Sequence, residues 1–324
     1  MGTDMESLEL VSTGGALPKR SVHNDDLAKI MDTSDEWIFT RTGIHSRYFC
    51  GGEETVTSLA TEAARQAMER AGVTADEIGC LVTATCSGDY ATPAVSCLVQ
   101  SALGLADDIP VTDVNAACTG FIYAAEVARG FLQESEKQYA LVIGAEQISR
   151  YLDMTDRSTA VLFGDGAGAA IFRRTPGSLY HHVLGAMGGL EINVPGAASG
   201  MPEKVSMDGK AVFRFATKAM RRGIGVLMEK SEKAFDEIDW FVCHQANSRI
   251  IDYVVHKMKA PEEKFFEDME RFGNTSGASV PIALNDMNEQ HLLSAGQTLV
   301  LVGFGSGLTW GGLMLKCAPD FRAE

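Results

Sequence analysis

The amino-acid sequence predicts an α/β protein with helices packed on sheets, and three observations support this. Segments with helical periodicity alternate with short apolar strand-like runs along the whole chain. The second half repeats features of the first at an offset of about 160 residues, with Ile78 answering to Ile238. Composition is that of a globular protein: 324 residues, 45 % hydrophobic and 22 % charged. That is too apolar for a disordered chain. No apolar run reaches the roughly 18 residues a spanning helix needs.

The elements follow in order. SLATEAARQAMERAG (58–72) reads as a helix, with Leu59, Ala63, Ala67 and Ala71 on one face and Gly72 at its end. IGCLVTATC (78–86) reads as a buried strand, and IPVTDVN (109–115), YALVIGAE (139–146) and GAGAAIF (166–172) are further strands. CTGFIYAAEVARGFL (118–132) reads as a buried helix. EKAFDEIDWFVCHQAN (232–247) then resembles GVTADEIGCLVTATCS (72–87), and TLVLVGFG (298–305) falls opposite YALVIGAE (139–146). Two matches near one spacing imply an internal duplication, with halves expected at 1–173 and 174–324. They are expected to meet near 173–210, where GAMGGLEINVPGAASGMPEK is loop-like and dense in Gly and Pro. FGDGAGAA (163–170) is rich in glycine, but it runs into a strand rather than a helix, so it reads as a turn and not a dinucleotide loop.

Charge narrows the function classes. Lys and Arg total 28 against 43 Asp and Glu, a formal net charge of −15, which disfavours nucleic acid and anionic membranes as partners. MGTDMESLEL lacks the basic region and apolar stretch of a secretory signal, so a cytoplasmic location is expected. Seven cysteines without a CxxC pair agree with a reducing compartment and argue against a zinc site. Most are expected to be buried packing residues. His181 and His182 are adjacent, so in a strand they point to opposite faces and form no metal pair.

Three segments stand out chemically. Cys118 follows a strand and opens a helix, where free N–H groups and the dipole favour thiolate over thiol; small neighbours leave room for an acyl group. His244 emerges at the end of the strand in DWFVCHQANSRI (239–250), an edge where α/β sites gather. Asn274 supplies one aimed donor in the small-residue loop RFGNTSGASVP (271–281). Alone, each of the three has an ordinary structural reading. A fourth feature is KAVFRFATKAMRR (210–222), whose Lys210, Arg214, Lys218, Arg221 and Arg222 are expected on one helical face, with Arg249 and Lys257 extending it. Such a basic patch on an acidic chain would attract an acidic partner.

Together these segments resemble the β-ketoacyl-ACP synthase III enzymes of the thiolase superfamily. The resemblance runs through DTSDEWIFTRTGI (32–44), DVNAACTGF (113–121), DRSTAVLFGDGAGAA (156–170), HQANSRI (244–250), GNTSGASVP (273–281) and GFGSGLTWG (303–311). It implies a duplicated five-layered α-β-α-β-α thiolase-like fold. It also implies an acyltransferase without a resident cofactor, which condenses acyl-CoA with malonyl-ACP through an acyl-Cys118 intermediate. An acyl carrier protein is the implied partner and a homodimer the implied assembly. By the same resemblance Cys118, His244 and Asn274 are the catalytic residues, and Cys118 and Ser306 supply the oxyanion hole. Trp37 and Arg157 would sandwich the CoA adenine, with Thr33 and Arg41 at its phosphates and Gly209, Ala246 and Asn247 also binding CoA. Thr92 stands where several members carry a Phe lining the acyl pocket from the partner subunit, so longer or branched acyl groups are expected to fit. Ser306 replaces a commoner Gly. A related condensing enzyme of secondary metabolism is the alternative reading.

Overall fold

The computed structural model describes residues 7–196 and 199–321, which leaves residues 1–6, 197–198 and 322–324 outside. Fourteen strands are described: β1 (Leu8–Ala16), β2 (Arg20–His23), β3 (Ser46–Phe49), β4 (Ile78–Ala84), β5 (Val111–Val114), β6 (Tyr139–Gln147), β7 (Asp165–Arg174), β8 (His181–Ala186), β9 (Ile192–Asn193), β10 (Ser206–Met207), β11 (Trp240–Cys243), β12 (Phe265–Phe266), β13 (Thr298–Gly305) and β14 (Thr309–Cys317). The helices are α1 (Asn24–Leu27), α2 (Asp35–Thr42), α3 (Val56–Ala71), α4 (Val95–Leu103), α5 (Gly120–Gln133), α6 (Gly209–Ser231), α7 (Ser248–Met258), α8 (Met269–Phe272) and α9 (Ser279–Glu289). Among the described residues no helix is long and apolar enough to cross a membrane.

The duplication is visible in the strand order. One half runs β5-β4-β6-β7-β1 and the other β12-β11-β13-β14-β8. In each, the first three strands are parallel and the last three antiparallel. The two halves join through β1 and β14, which pair in parallel at Glu9–Lys316 and Leu10–Cys317.

Five layers follow from which side chains share a core. Strand residues alternate faces, so β6 sends Leu141 and Ile143 outward to α3 and α4, and Ala140 and Val142 inward. β13 does the same, with Val300 and Val302 facing α6 and α7, and Leu299 and Leu301 facing inward. The inward side chains of both halves meet α5 and α9, which contribute Phe121, Ile122, Val280 and Leu284 to one continuous core. Burial on both faces explains why these strands read as unbroken apolar runs. Each large core side chain contributes about 1.5–3 kcal/mol through burial.

Boundaries shift by a few residues. α3 starts at Val56 behind a Thr55 cap and stops where Gly72 takes φ 67°, a left-handed cap that suits glycine. Residues 163–170, expected to be a turn, are mostly strand: only Phe163 and Gly164 precede β7, which starts at Asp165 and is buried through Phe172. The segment 173–210 is not simply loop. It holds β8, which pairs with β14 from Thr309 to Met314, and the small β9–β10 ribbon. β8 escaped pattern reading because its residues are half-buried and begin with two histidines. Cys80, Cys243 and Cys317 are buried packing residues, whereas Cys97 is exposed on α4.

Candidate active site

Residues from both halves line one cavity of about 320 Å³, with Cys118, His244 and Asn274 together in its wall. Cys118 sits in a tight turn (Ala117–Thr119) that leads into α5, and the preceding Ala117 is held at φ 45°. Left-handed backbone at a residue other than glycine is costly and recurs where a side chain must be aimed. Across from it, the end of β13 comes so close that a Cβ at Gly305 would lie 2.8 Å from the Cys118 amide nitrogen. Only glycine fits there, and the close approach packs the end of β13 against the Cys118 backbone and Cβ.

The protonation of Cys118 differs from the thiolate expected at a helix start. Burial, the removal of water, is the largest cause and pushes its thiol up to about 12. The thiol lies 3.6 Å from the Ser276 oxygen, which can accept its proton. At neutral pH this is a thiol.

His244 follows β11 and is 1 % exposed, with its ring edge-on to Phe304 at 5.1 Å. Burial lowers its pKa to about 3, so the ring is neutral. Its Nδ1 lies 2.6 Å from Ser279 Oγ. That hydroxyl also accepts the Gln245 N–H at 3.4 Å; when it gives its own proton to Nδ1, the ring carries its proton on Nε2. Asn274 is fixed in the same way. Its Oδ1 accepts the Ser276 N–H at 2.9 Å, which turns Nδ2 into a donor toward the cavity. The backbone of Asn274 bridges residues 162–164, receiving and giving one bond of 2.9 Å each. Two neutral donors thus face the space beside the thiol, an arrangement suited to an oxygen that gains negative charge.

Of the other expected binding residues, Trp37, Arg41, Arg157, Gly209, Ala246 and Asn247 line the cavity. Arg41 and Arg157 both stack on Trp37, at 4.5 and 4.8 Å from its ring centre. A base sandwiched between ring and guanidinium needs about 7 Å, two van der Waals separations. Arg157 therefore occupies the place of a base, tied to the Asp32 carbonyl at 2.6 Å, and must swing out to admit one. Thr33, Ser306 and Thr92 do not line the cavity. The Thr33 hydroxyl is buried without a partner among the described residues. Ser306 donates its hydroxyl to the Ile192 carbonyl at 2.6 Å, pinning the loop to β9. Thr92 is exposed, so within its own chain it touches no acyl group.

All five basic residues between 210 and 222 are exposed on α6, as are Arg249 and Lys257 on α7. Arg222 lies over the Trp310 ring at 4.5 Å, engaged within its own chain. α6 and α7 touch through Phe213 and Tyr253, and the cavity mouth lies at their N-terminal ends, lined by Gly209, Val212, Ala246 and Asn247. Sequence reasoning missed Ser279, Ser276 and Phe304, whose contacts with the trio join distant parts of the chain.

A duplicated α/β fold with a buried cysteine, a neutral histidine and an asparagine in one cavity defines a thiolase-like condensing enzyme, an acyltransferase. Comparison with known proteins supplies the family. Residues 112–188 match the family described as 3-oxoacyl-[acyl-carrier-protein (ACP)] synthase III, and residues 228–317 match its C-terminal family. The chain is 42 % identical to the beta-ketoacyl-[acyl-carrier-protein] synthase III of Clostridium acetobutylicum over 96 % of its length and 99 % of the relative. The crystal structure of 3-oxoacyl-[acyl-carrier-protein] synthase III from Aquifex aeolicus superposes with a TM-score of 0.89 at 37 % identity, covering 95 % of this chain and 99 % of that one. The priming beta-ketosynthase of the R1128 polyketide pathway superposes at 0.92 with 32 % identity, covering 100 % and 99 %. The chain belongs to the β-ketoacyl-ACP synthase III family, acyltransferases of fatty acid biosynthesis.

Proposed function

We propose that this enzyme condenses an acyl-CoA primer with malonyl-ACP, through an acyl group carried on Cys118. The observation that carries the reading is the pair of aimed neutral donors, His244 Nε2 and Asn274 Nδ2, in one cavity with a buried thiol. In the first half-reaction Cys118 Sγ attacks the thioester carbonyl, the backbone N–H groups of Cys118 and Ser306 stabilise the oxyanion, and CoA leaves as a thiolate. In the second, malonyl-ACP loses CO2 and the resulting enolate oxygen accepts bonds from His244 and Asn274. The enolate carbon then attacks the acyl group and expels Cys118.

CoA binding is assigned to Trp37, Arg41 and Arg157 at the mouth, with Gly209, Ala246 and Asn247 along the wall and Thr33 nearby. Trp37→Ala is expected to raise KM for acyl-CoA by about tenfold or more, because stacking a base on an aromatic ring is worth about 1–3 kcal/mol. The turnover number should change little, since Trp37 is assigned to the base of CoA and not to the reacting atoms; steady-state kinetics separate the two. The acyl carrier protein is assigned to Arg214, Lys218, Arg221, Arg222, Arg249 and Lys257, beside that mouth. We further assign a homodimer in which Thr92 of one copy reaches the acyl pocket of the other, halves divided at 173/174, and a cytoplasmic location.

The test is intact-protein mass after incubation with acetyl-, isobutyryl- and octanoyl-CoA, followed by peptide mapping. One acyl group on Cys118 is expected, with longer or branched donors accepted because Thr92 is small. A longer donor preferred over acetyl-CoA would favour a role in secondary metabolism on the same machinery. No adduct from any of the three would refute the CoA-primed reaction.

A further inference from the structure

Glu146, the penultimate residue of β6, is fully buried, and no Lys, Arg or His pairs with it among the described residues. Its neighbours are all donors. The Cys86 N–H reaches Oε2 at 3.1 Å and the Gly277 N–H reaches Oε1 at 3.4 Å. The Ser87 hydroxyl, which accepts the Gln147 N–H at 2.8 Å, gives its own proton to Oε2. The Thr85 hydroxyl, which accepts the Ser87 N–H at 3.1 Å, points its proton there too, at 3.3 Å. Burial pushes the pKa of this carboxyl up, while the surrounding donors act the other way and favour the carboxylate. The titratable groups facing it are two thiols, Cys86 at 3.4 and 3.5 Å and, one step further, Cys118.

That step runs through Ser276. Its Oγ lies 3.2 Å from Glu146 Oε1 and 3.6 Å from Cys118 Sγ. With its proton directed at the carboxylate, the Ser276 oxygen has a lone pair for the Cys118 S–H, so donors and acceptors line up from sulfur to hydroxyl to carboxylate. His244 does not join this line, since its Nδ1 is taken by Ser279.

We propose that Glu146, acting through Ser276, receives the Cys118 proton during acyl transfer and returns it after condensation. This deepens the proposed function and rests on it. As Sγ bonds to the acyl carbon, its proton passes to Ser276 Oγ while the Ser276 proton passes to Glu146, and the C–S bond to CoA breaks. The CoA thiolate takes a proton from water. After malonyl-ACP has lost CO2, the enolate carbon bonds to the acyl carbon and breaks its bond to Sγ. The Cys118 thiolate recovers the stored proton along the same line, and the cycle consumes the one proton that appears on CoA. Burial pushes both end groups up, which makes the carboxylate a better base and leaves the thiol in need of one. Ser276 touches the reacting sulfur; Glu146 is a positioning residue that also holds the proton.

The experiment is the rate of acyl transfer from a CoA donor that acylates wild type, followed by quenched intact-protein mass between about pH 6 and about pH 9, for wild type, Ser276→Ala and Glu146→Gln. Both variants are expected to slow about 10²-fold near neutral pH, the usual scale of general-base assistance. Their rates should rise tenfold per pH unit, because the thiol must then ionise unaided, while wild type stays nearly level. Ser276→Ala removes one hydroxyl, so it decides the matter even if Glu146→Gln fails to fold. A Ser276→Ala protein with the wild-type rate, or slowed with the wild-type pH profile, overturns the relay. A wild type that takes no acyl group on Cys118 overturns the proposed function instead.

Discussion

Cys118→Ala is expected to form no acyl adduct with any acyl-CoA and to lose condensation by at least about 10⁴-fold, the scale on which loss of a nucleophile is felt. The fold should survive. The side chain is buried with Gly305 packed on its backbone, and alanine keeps the Cβ while removing only sulfur, a small cavity costing about 1 kcal/mol. The donors on His244 and Asn274 remain aimed into the cavity, since Ser279 and the Ser276 amide hold them without help from the thiol. Slow decarboxylation of malonyl-ACP should therefore persist in a protein that no longer condenses. Mass spectrometry reads the first outcome and CO2 release the second. Condensation retained in this variant would remove the covalent step and return Cys118 to the packing role of Cys80 or Cys243.

Much of this arrangement is legible in the chain, and the parts that are not have identifiable reasons. β6 and β13 were readable because burial on both faces forces unbroken apolar runs, and their likeness exposed the duplication. β8 was hidden because its residues are half-buried and carry no such run. Cys118, His244 and Asn274 were findable because each lies where a strand or small-residue loop ends. Ser279 and Glu146 were not: Ser279 meets His244 across 35 residues, and Ser276 meets Glu146 across 130. A serine or glutamate in an apolar stretch carries no mark of such a partner. The environment of Cys118 was hidden for a related reason. The turn is local, whereas burial, which pushes the thiol up, depends on distant residues such as Gly305 packed on its backbone. Arg157 likewise lines the cavity in a resting position, closed on Trp37, that spacing could not reveal.

His244→Ala is expected to divide the two half-reactions and to change how stability depends on pH. Loss of one preorganised donor to a developing oxyanion costs about 10²–10³ in rate. Condensation and malonyl-ACP decarboxylation should both fall by that factor, while the acyl adduct on Cys118 still forms, because that step uses backbone N–H groups. A histidine serving as the base for Cys118 would instead lose the adduct as well, and time-resolved mass spectra distinguish the two. The pH effect follows from burial. The folded ring titrates at about 3 and an unfolded one near 6.5, so between those values the unfolded chain binds the extra proton and wild-type stability falls as pH falls. Above about pH 6.5 that contribution is fully present, and removing a ring packed on Phe304 should cost roughly 3 kcal/mol. Below it the wild type loses stability that the variant does not have to lose. Denaturant unfolding at about pH 7.5 and about pH 4.5 should thus show the gap between the two proteins narrowing in acid. A gap that stays constant would mean that the folded ring titrates like an exposed one, and the neutral donor assigned to the enolate would fail with it.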